Sequence, residues 1–89
     1  MIKILIADDH PIVRKGLKDI VEEISDMAVV DEASNGQEVL EYIWKNDYDV
    51  ILLDISMPGR SGLDVLKQLK SERPHLPVLV CLSLVNMSP

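Results

Sequence analysis

Short apolar runs alternate along the chain with longer segments in which apolar residues recur every three or four positions. The runs are too short for helices and are rich in Ile, Leu and Val, which is typical of buried strands. The longer segments place charged residues on the opposite face and so predict amphipathic helices. The predicted strands are 2–7, 27–33, 48–54 and 77–82, and the predicted helices are 11–25, 37–46 and a third from about Leu63 to a stop at Pro74.

The alternation of strands and helices indicates one α/β domain, with a parallel sheet and helices on its faces. The 27–33 run is the weaker strand candidate, and acidic residues flank it, which suits the edge of a sheet. No internal repeat, linker or low-complexity stretch divides the chain. The pattern therefore predicts a single domain with the weaker strand at its edge.

The composition narrows the kinds of core and partner that are possible. With no Phe, one Trp and two Tyr among 89 residues, the core must be aliphatic. The net charge of −6 argues against nucleic acid or an anionic membrane as an electrostatic partner. The apolar runs are far shorter than the ~18 residues that span a bilayer, and the single cysteine, Cys81, excludes an intrachain disulfide. We expect a cytoplasmic domain that binds neither membrane nor nucleic acid directly.

Carboxylates follow two of the predicted strands. Asp8 and Asp9 come directly after the first strand, and Asp54 ends the third. Ligands of open parallel sheets bind beyond the carboxyl ends of the strands, so these side chains converge if the two strands are neighbours. A single Asp in such a place is usually a helix cap or a solvated loop residue, but three together repel one another unless a cation compensates. Their oxygens suit Mg²⁺.

The same residues carry a resemblance to a known family. Residues 7–17, ADDHPIVRKGL, resemble the opening of bacterial response-regulator receiver domains, above all those joined to a LuxR-type helix-turn-helix. Residues 54–63, DISMPGRSGL, are similar to the phosphorylation segment of that family, with its pattern Asp-x-x-Met-Pro-x-x-x-Gly. The resemblance extends from Ile2 to about Val80. It implies a flavodoxin-like (CheY-like) fold, a doubly wound parallel sheet.

The resemblance also implies roles for individual residues. Asp54 would be the phosphoacceptor, taking a phosphoryl group from a sensor histidine kinase or a small phosphodonor. Asp9 would ligate Mg²⁺ directly and Asp8 through water, while Asp54 and the backbone carbonyl of Ser56 would supply further oxygens. The domain would assist its own phosphorylation without being a turnover enzyme, and would control a DNA-binding output part that this chain does not include.

The end of the chain departs from the family pattern. Ser83 is the candidate for the hydroxyl that contacts the phosphoryl group in receivers, although Cys81 looks like an inserted residue that would reverse the strand faces after it. Residues 84–89 resemble nothing in the family, and they suggest a shifted reading frame or a cloning remnant. We therefore expect residues 1–83 to form a receiver domain that lacks the fifth strand and last helices.

An incomplete sheet has a further consequence. Without a fifth strand, the fourth is an exposed apolar edge, and such edges pair with other strands. We expect a homodimer, formed through this edge or by a segment swap. An alternative to the signalling function is a phosphorylation-incompetent fragment that folds only by self-association.

Two other functions fit the layout less well. Haloacid dehalogenases also use an Asp after a strand as nucleophile, but they need a second Asp two residues later, where this chain has Ser56. A flavodoxin-like electron carrier would cradle a phosphate after the first strand, where Asp8 and Asp9 would repel it.

Four more residues carry expectations. His10 is interpreted as a residue at a helix start rather than a metal ligand, and Trp44 as a core anchor or an interface residue. Pro58 and Gly62 are expected to shape the loop beyond the acceptor, as the resemblance implies.

Overall fold

The computed structural model describes residues 1–57 and 62–81. Strands and helices alternate along these residues, as the sequence pattern predicts. The elements are β1 (Ile2–Ala7), α1 (Pro11–Glu22), β2 (Met27–Ala33), α2 (Gly36–Lys45), β3 (Val50–Asp54), α3 (Gly62–Glu72) and β4 (Val78–Cys81).

The strands form one parallel sheet in the order β2-β1-β3-β4. The chain starts in the interior at β1, moves outward to β2, and then crosses to the other side of β1 to form β3. This order matches the start of the flavodoxin-like order 2-1-3-4-5. The predicted fold class is confirmed, with four strands of the full fold in the part of the chain that the structure describes, and β2 lies at an edge as expected.

The helices cover both faces of the sheet. Alternate residues of β1 separate the two cores, since Ile4 and Ile6 face α1 while Leu5 and Ala7 face α2 and α3. The α2–α3 side holds the larger core, which is aliphatic apart from Tyr48 and Met57. A sheet that is covered on both faces requires successive side chains of a strand to be buried on opposite faces, as they are in β1.

Three features differ from the sequence-based predictions. α1 ends at Glu22 rather than residue 25, because the N–H of Ile24 donates to the Val21 carbonyl (3.0 Å) and turns the chain toward β2. Tyr48 precedes β3 instead of opening it, yet it is buried, and its hydroxyl donates to Asp31 Oδ2 (2.5 Å). Of the two interpretations of Trp44, the core anchor is wrong, and the interface residue stays a prediction.

Trp44 lies on the outer side of α2. The residue is 54% exposed, and its indole N–H donates to Glu72 Oε1 of α3 at 2.8 Å. A hydrogen bond at the surface thus links α2 to α3 where an apolar contact was expected. Within residues 1–57 and 62–81, no helix is both long and apolar enough to cross a membrane.

Candidate functional site

Acidic side chains meet at the carboxyl edge of the sheet, between β1 and β3. The two strands are direct neighbours, with Ala7 opposite Leu53, so the residues that follow them emerge side by side. Asp8 and Asp54 are buried, and Asp9 is half-buried. Ligand-type atoms of Asp8, Asp9, His10 and Asp54 all lie within 4.8 Å of one another. We name these four residues the acidic cluster.

The turn from β1 into α1 fixes Asp8. The N–H of Asp8 donates to the Ala33 carbonyl (3.0 Å), and its own carbonyl accepts from Arg14 Nη1 (2.6 Å). Arg14 is held in turn by Glu32, at 3.3 Å. The Oδ1 atom of Asp8 accepts the backbone N–H of His10 at 2.8 Å. Contacts from β2 and α1 therefore hold the backbone of Asp8, and the N–H of His10 orients its carboxylate.

The two oxygens of Asp54 have different surroundings. Oδ1 accepts two hydrogen bonds from Ser56, one from the backbone N–H (2.9 Å) and one from the hydroxyl (2.6 Å). Oδ2 is buried and has no hydrogen-bond partner among the residues that the structure describes. One oxygen is thus tied to the loop after β3, and the other faces the rest of the acidic cluster.

While the carboxylates are ionised, the imidazole ring of His10 is the only member of the acidic cluster whose side chain can donate a hydrogen bond, as a neutral or a cationic group. Its Nδ1 lies 2.9 Å from Asp8 Oδ1, 3.0 Å from Asp9 Oδ1 and 4.0 Å from Asp54 Oδ2. The hydrogen bond to Asp8 raises the pKa of His10 above 6.5, and the nearby negative charges of Asp9, Asp8 and Asp54 act in the same direction, while partial burial opposes them. Sequence reasoning missed this contact.

The position of His10 itself agrees with its sequence-based interpretation. It is the N-cap residue of α1, in extended conformation, with Pro11 in the first turn. At an N-cap position that follows an acidic pair, the imidazole ring can point either toward the two carboxylates or away from them. The choice of direction depends on the turn geometry, which the sequence does not display.

The donor set fits a divalent cation. Three carboxylates supply hard oxygen atoms, and the unpartnered Oδ2 of Asp54 is a buried acceptor that a cation would satisfy. Such crowding of negative charge is costly without a positive partner. Carboxylate oxygens at the edge of a sheet are the ligands that Mg²⁺ uses in combination with water.

The fold and the site both agree with one known protein family. The family model described as the response regulator receiver domain matches residues 4–87. The chain belongs to this family. The match continues to residue 87 and so includes part of the 84–89 segment, whose separation from the domain stays a prediction.

Individual relatives agree with the family. The nitrate/nitrite response regulator protein NarL of Escherichia coli is 45% identical over 69 residues, covering 78% of this chain and 32% of NarL. This receiver chain therefore spans about a third of that relative's length.

Solved structures show the same architecture. RcsB of Salmonella enterica serovar Typhimurium, bound to promoter rprA in the presence of phosphomimetic BeF₃⁻, has a TM-score of 0.84 and 34% identity, covering 90% of this chain and 68% of that one. TrrA of Thermotoga maritima, in complex with Mg²⁺-BeF, has a TM-score of 0.80 and 35% identity, covering 92% and 68%.

The structure describes most of the predicted site residues. It brings Asp8, Asp9 and Asp54 together, and it adds the hydroxyl and N–H of Ser56 as partners of Asp54. The role of the Ser56 carbonyl as a metal ligand stays a prediction. Pro58 and Ser83 lie outside the described residues.

Proposed function

We propose that this receiver domain accepts a phosphoryl group on Asp54 from the phosphohistidine of a sensor kinase. The observation that carries the proposal is the buried Oδ2 of Asp54, which faces Asp8 and Asp9 and has no hydrogen-bond partner among the described residues. A carboxylate in such a position can act as the nucleophile that forms an acyl phosphate.

The transfer of the phosphoryl group needs no reactant besides Asp54 and the phosphohistidine donor. Oδ2 of Asp54 forms a bond to phosphorus while the phosphorus–nitrogen bond of the donor breaks. The electron pair of that bond stays on the nitrogen, and because the other ring nitrogen of the phosphohistidine is protonated, the kinase histidine leaves as a neutral imidazole. The hydrogen bonds from Ser56 to Oδ1 hold the carboxylate, so that Oδ2 is the oxygen presented to an in-line donor.

Mg²⁺ is the proposed cofactor. Asp9 would hold the ion directly and Asp8 through water, with Asp54 and the Ser56 carbonyl as further oxygen ligands. When bound, the ion neutralises negative charge on the phosphoryl oxygens during transfer. The similar protein TrrA, in complex with Mg²⁺-BeF, supports this assignment.

The phosphoryl group would act as a switch for an output part beyond this chain. Phosphorylation adds charge that can bias a two-state element, and Ser83 is the proposed hydroxyl contact for it. The RcsB structure, with its promoter DNA and phosphomimetic, supports a DNA-binding output. With a net charge of −6, the chain is not expected to bind DNA itself. We place it in the cytoplasm, as a signalling domain that assists its own phosphorylation by a phosphodonor and is not a turnover enzyme.

Incubation with acetyl phosphate and Mg²⁺ tests the proposal. Intact mass spectrometry is expected to show one added phosphoryl group on the chain and none on the Asp54→Asn variant. Asp64→Asn, which alters an exposed carboxylate on α3, is the matched control and is expected to be labelled like the natural chain. Absence of label from the natural chain would favour the phosphorylation-incompetent alternative.

A further inference from the structure

The Nδ1 atom of His10 lies at a position that a metal ligand could occupy. Ligands ~2.1 Å from an octahedral ion lie ~3.0 Å apart when adjacent and ~4.2 Å apart when opposite. His10 Nδ1 lies 2.9 and 3.0 Å from the Oδ1 atoms of Asp8 and Asp9, and 4.0 Å from Oδ2 of Asp54. In the structure the first of these contacts is a hydrogen bond between the ring and Asp8. The same spacing is that of a ligand adjacent to the first two oxygens and opposite the third, so an ion bound here would take the place of the shared proton.

A second observation points to a cation at this place. The side chain of Asp54 is 1% exposed, and its Oδ2 atom has no hydrogen-bond partner among the described residues. This oxygen faces His10 Nδ1 across the acidic cluster. An ion between the two atoms would contact both the imidazole nitrogen and the buried oxygen.

Metal ions differ in how they treat an imidazole. Mg²⁺ selects oxygen ligands and keeps several waters, so it gains little from a ring nitrogen. Ni²⁺ and other first-row transition ions accept imidazole readily. The present position of the ring is therefore an obstacle to one class of ion and a ligand for the other.

We propose that His10 sets the metal selectivity of the acidic cluster: its imidazole coordinates borderline transition ions such as Ni²⁺ and must move aside for Mg²⁺. The inference rests on the proposed function, because it assumes a cation among Asp8, Asp9 and Asp54. It adds a nitrogen ligand to a site otherwise built from oxygens. Removing the ring should then weaken the binding of Ni²⁺ without weakening the binding of Mg²⁺.

Calorimetric titration of the whole chain with Ni²⁺ and, separately, with Mg²⁺ tests this selectivity. His10→Ala is expected to weaken Ni²⁺ binding by at least ~10-fold, and to leave Mg²⁺ binding equal or tighter. His10→Asn places a residue type that is favoured at the N-cap where His10 makes no side-chain cap hydrogen bond, and it should behave in the same way, which separates ligation from folding. His75→Ala, which removes the only other histidine and is exposed, should leave both affinities unchanged.

Proton NMR spectroscopy tests whether the bound ion lies next to the ring of His10. Ni²⁺ is paramagnetic, so its binding should broaden the ring proton signals of His10 and leave those of His75 sharp. Unchanged Ni²⁺ affinity in His10→Ala, or a parallel loss of Mg²⁺ and Ni²⁺ affinity, would overturn the selectivity proposal. Failure of the natural chain to bind either ion would instead overturn the metal site on which the proposed function depends.

Discussion

Gly62, the first residue of α3, lies against the backbone of Ile55 with no room for a side chain. A Cβ atom on Gly62 would stand 2.7 Å from the Ile55 carbonyl carbon and closer still to its Cα and oxygen atoms. Ile55 directly follows the proposed acceptor, Asp54. The start of α3 and the position of the acceptor are therefore coupled through one backbone contact.

The Gly62→Ala substitution is expected to destabilise the domain. The added methyl group must displace rigid backbone, and such overpacking costs about 1–3 kcal/mol. Urea denaturation measures the change in the free energy of unfolding. Gly16→Ala is the matched control, because Gly16 is exposed on α1 with nothing within 4 Å of an added Cβ. Equal stability of the two variants would contradict the close contact.

The sequence predicts part of the site at this scale. Three carboxylates were placed together because they follow buried strands, and parallel strands end at one edge of a sheet. The sequence does not predict that the ring of His10 and the hydroxyl of Ser56 contact these carboxylates, because the directions of both side chains depend on turn geometry. A residue type at a given position does not show which way its side chain points.

At the scale of elements, the start of α2 is held by a reciprocal pair of side chains. Asn35 Oδ1 accepts the backbone N–H of Glu38 (2.9 Å), and Glu38 Oε1 accepts the N–H and hydroxyl of Ser34, both at 2.7 Å. Such caps satisfy donors that the first turn of a helix leaves free. The hydrogen bonds from Ser34 hold the pKa of Glu38 below its ordinary value of 4.5.

This lowered pKa predicts a pH-dependent contribution to stability. The ionised Glu38 stabilises the folded chain above pH 4.5, and that stabilisation is lost as the pH falls through the lower folded-state pKa. The natural chain should therefore be more stable than Glu38→Gln at neutral pH, with a difference that shrinks in acid. Denaturation at a series of pH values measures it, with the exposed Glu41→Gln as control. A constant difference would contradict the assignment.

Apolar runs predict the existence of elements better than their ends. The four strands and three helices were found because burial imposes a period of two or of 3.6 residues. α1 stops earlier than its pattern suggests because Ile24, although apolar, is exposed in the turn that follows. Trp44 follows the helical period but meets Glu72 at the surface, so periodicity alone does not establish that a residue is in the core.

At the scale of the whole molecule, the two edges of the sheet differ. β2 exposes Val30 (43%) but also carries Asp31 and Glu32, whereas β4, the opposite edge among the described residues, exposes Leu79 (58%) and Val80 (45%) and has no charged residue. An apolar edge strand is a template for pairing with another chain. The homodimer proposed from the sequence would use this edge or exchange a segment there.

Light scattering of the natural chain at high concentration is expected to give the mass of a dimer. A lysine on the edge disfavours strand pairing, so Leu79→Lys should shift the population toward monomer. Leu63→Lys changes a similarly exposed leucine on α3, away from the edge, and should leave the dimer intact. A monomeric natural chain would contradict the proposal, as would equal dissociation by both variants.

The central claim is that Asp54, and no other carboxylate of the acidic cluster, receives the phosphoryl group. Borohydride reduces the acyl phosphate of an aspartate to homoserine, so treatment after incubation with acetyl phosphate and Mg²⁺ marks the acceptor permanently. Peptide mass mapping should then find homoserine at position 54 and unmodified aspartate at positions 8 and 9. Homoserine at position 8 or 9, or its absence from the whole chain, would contradict the account.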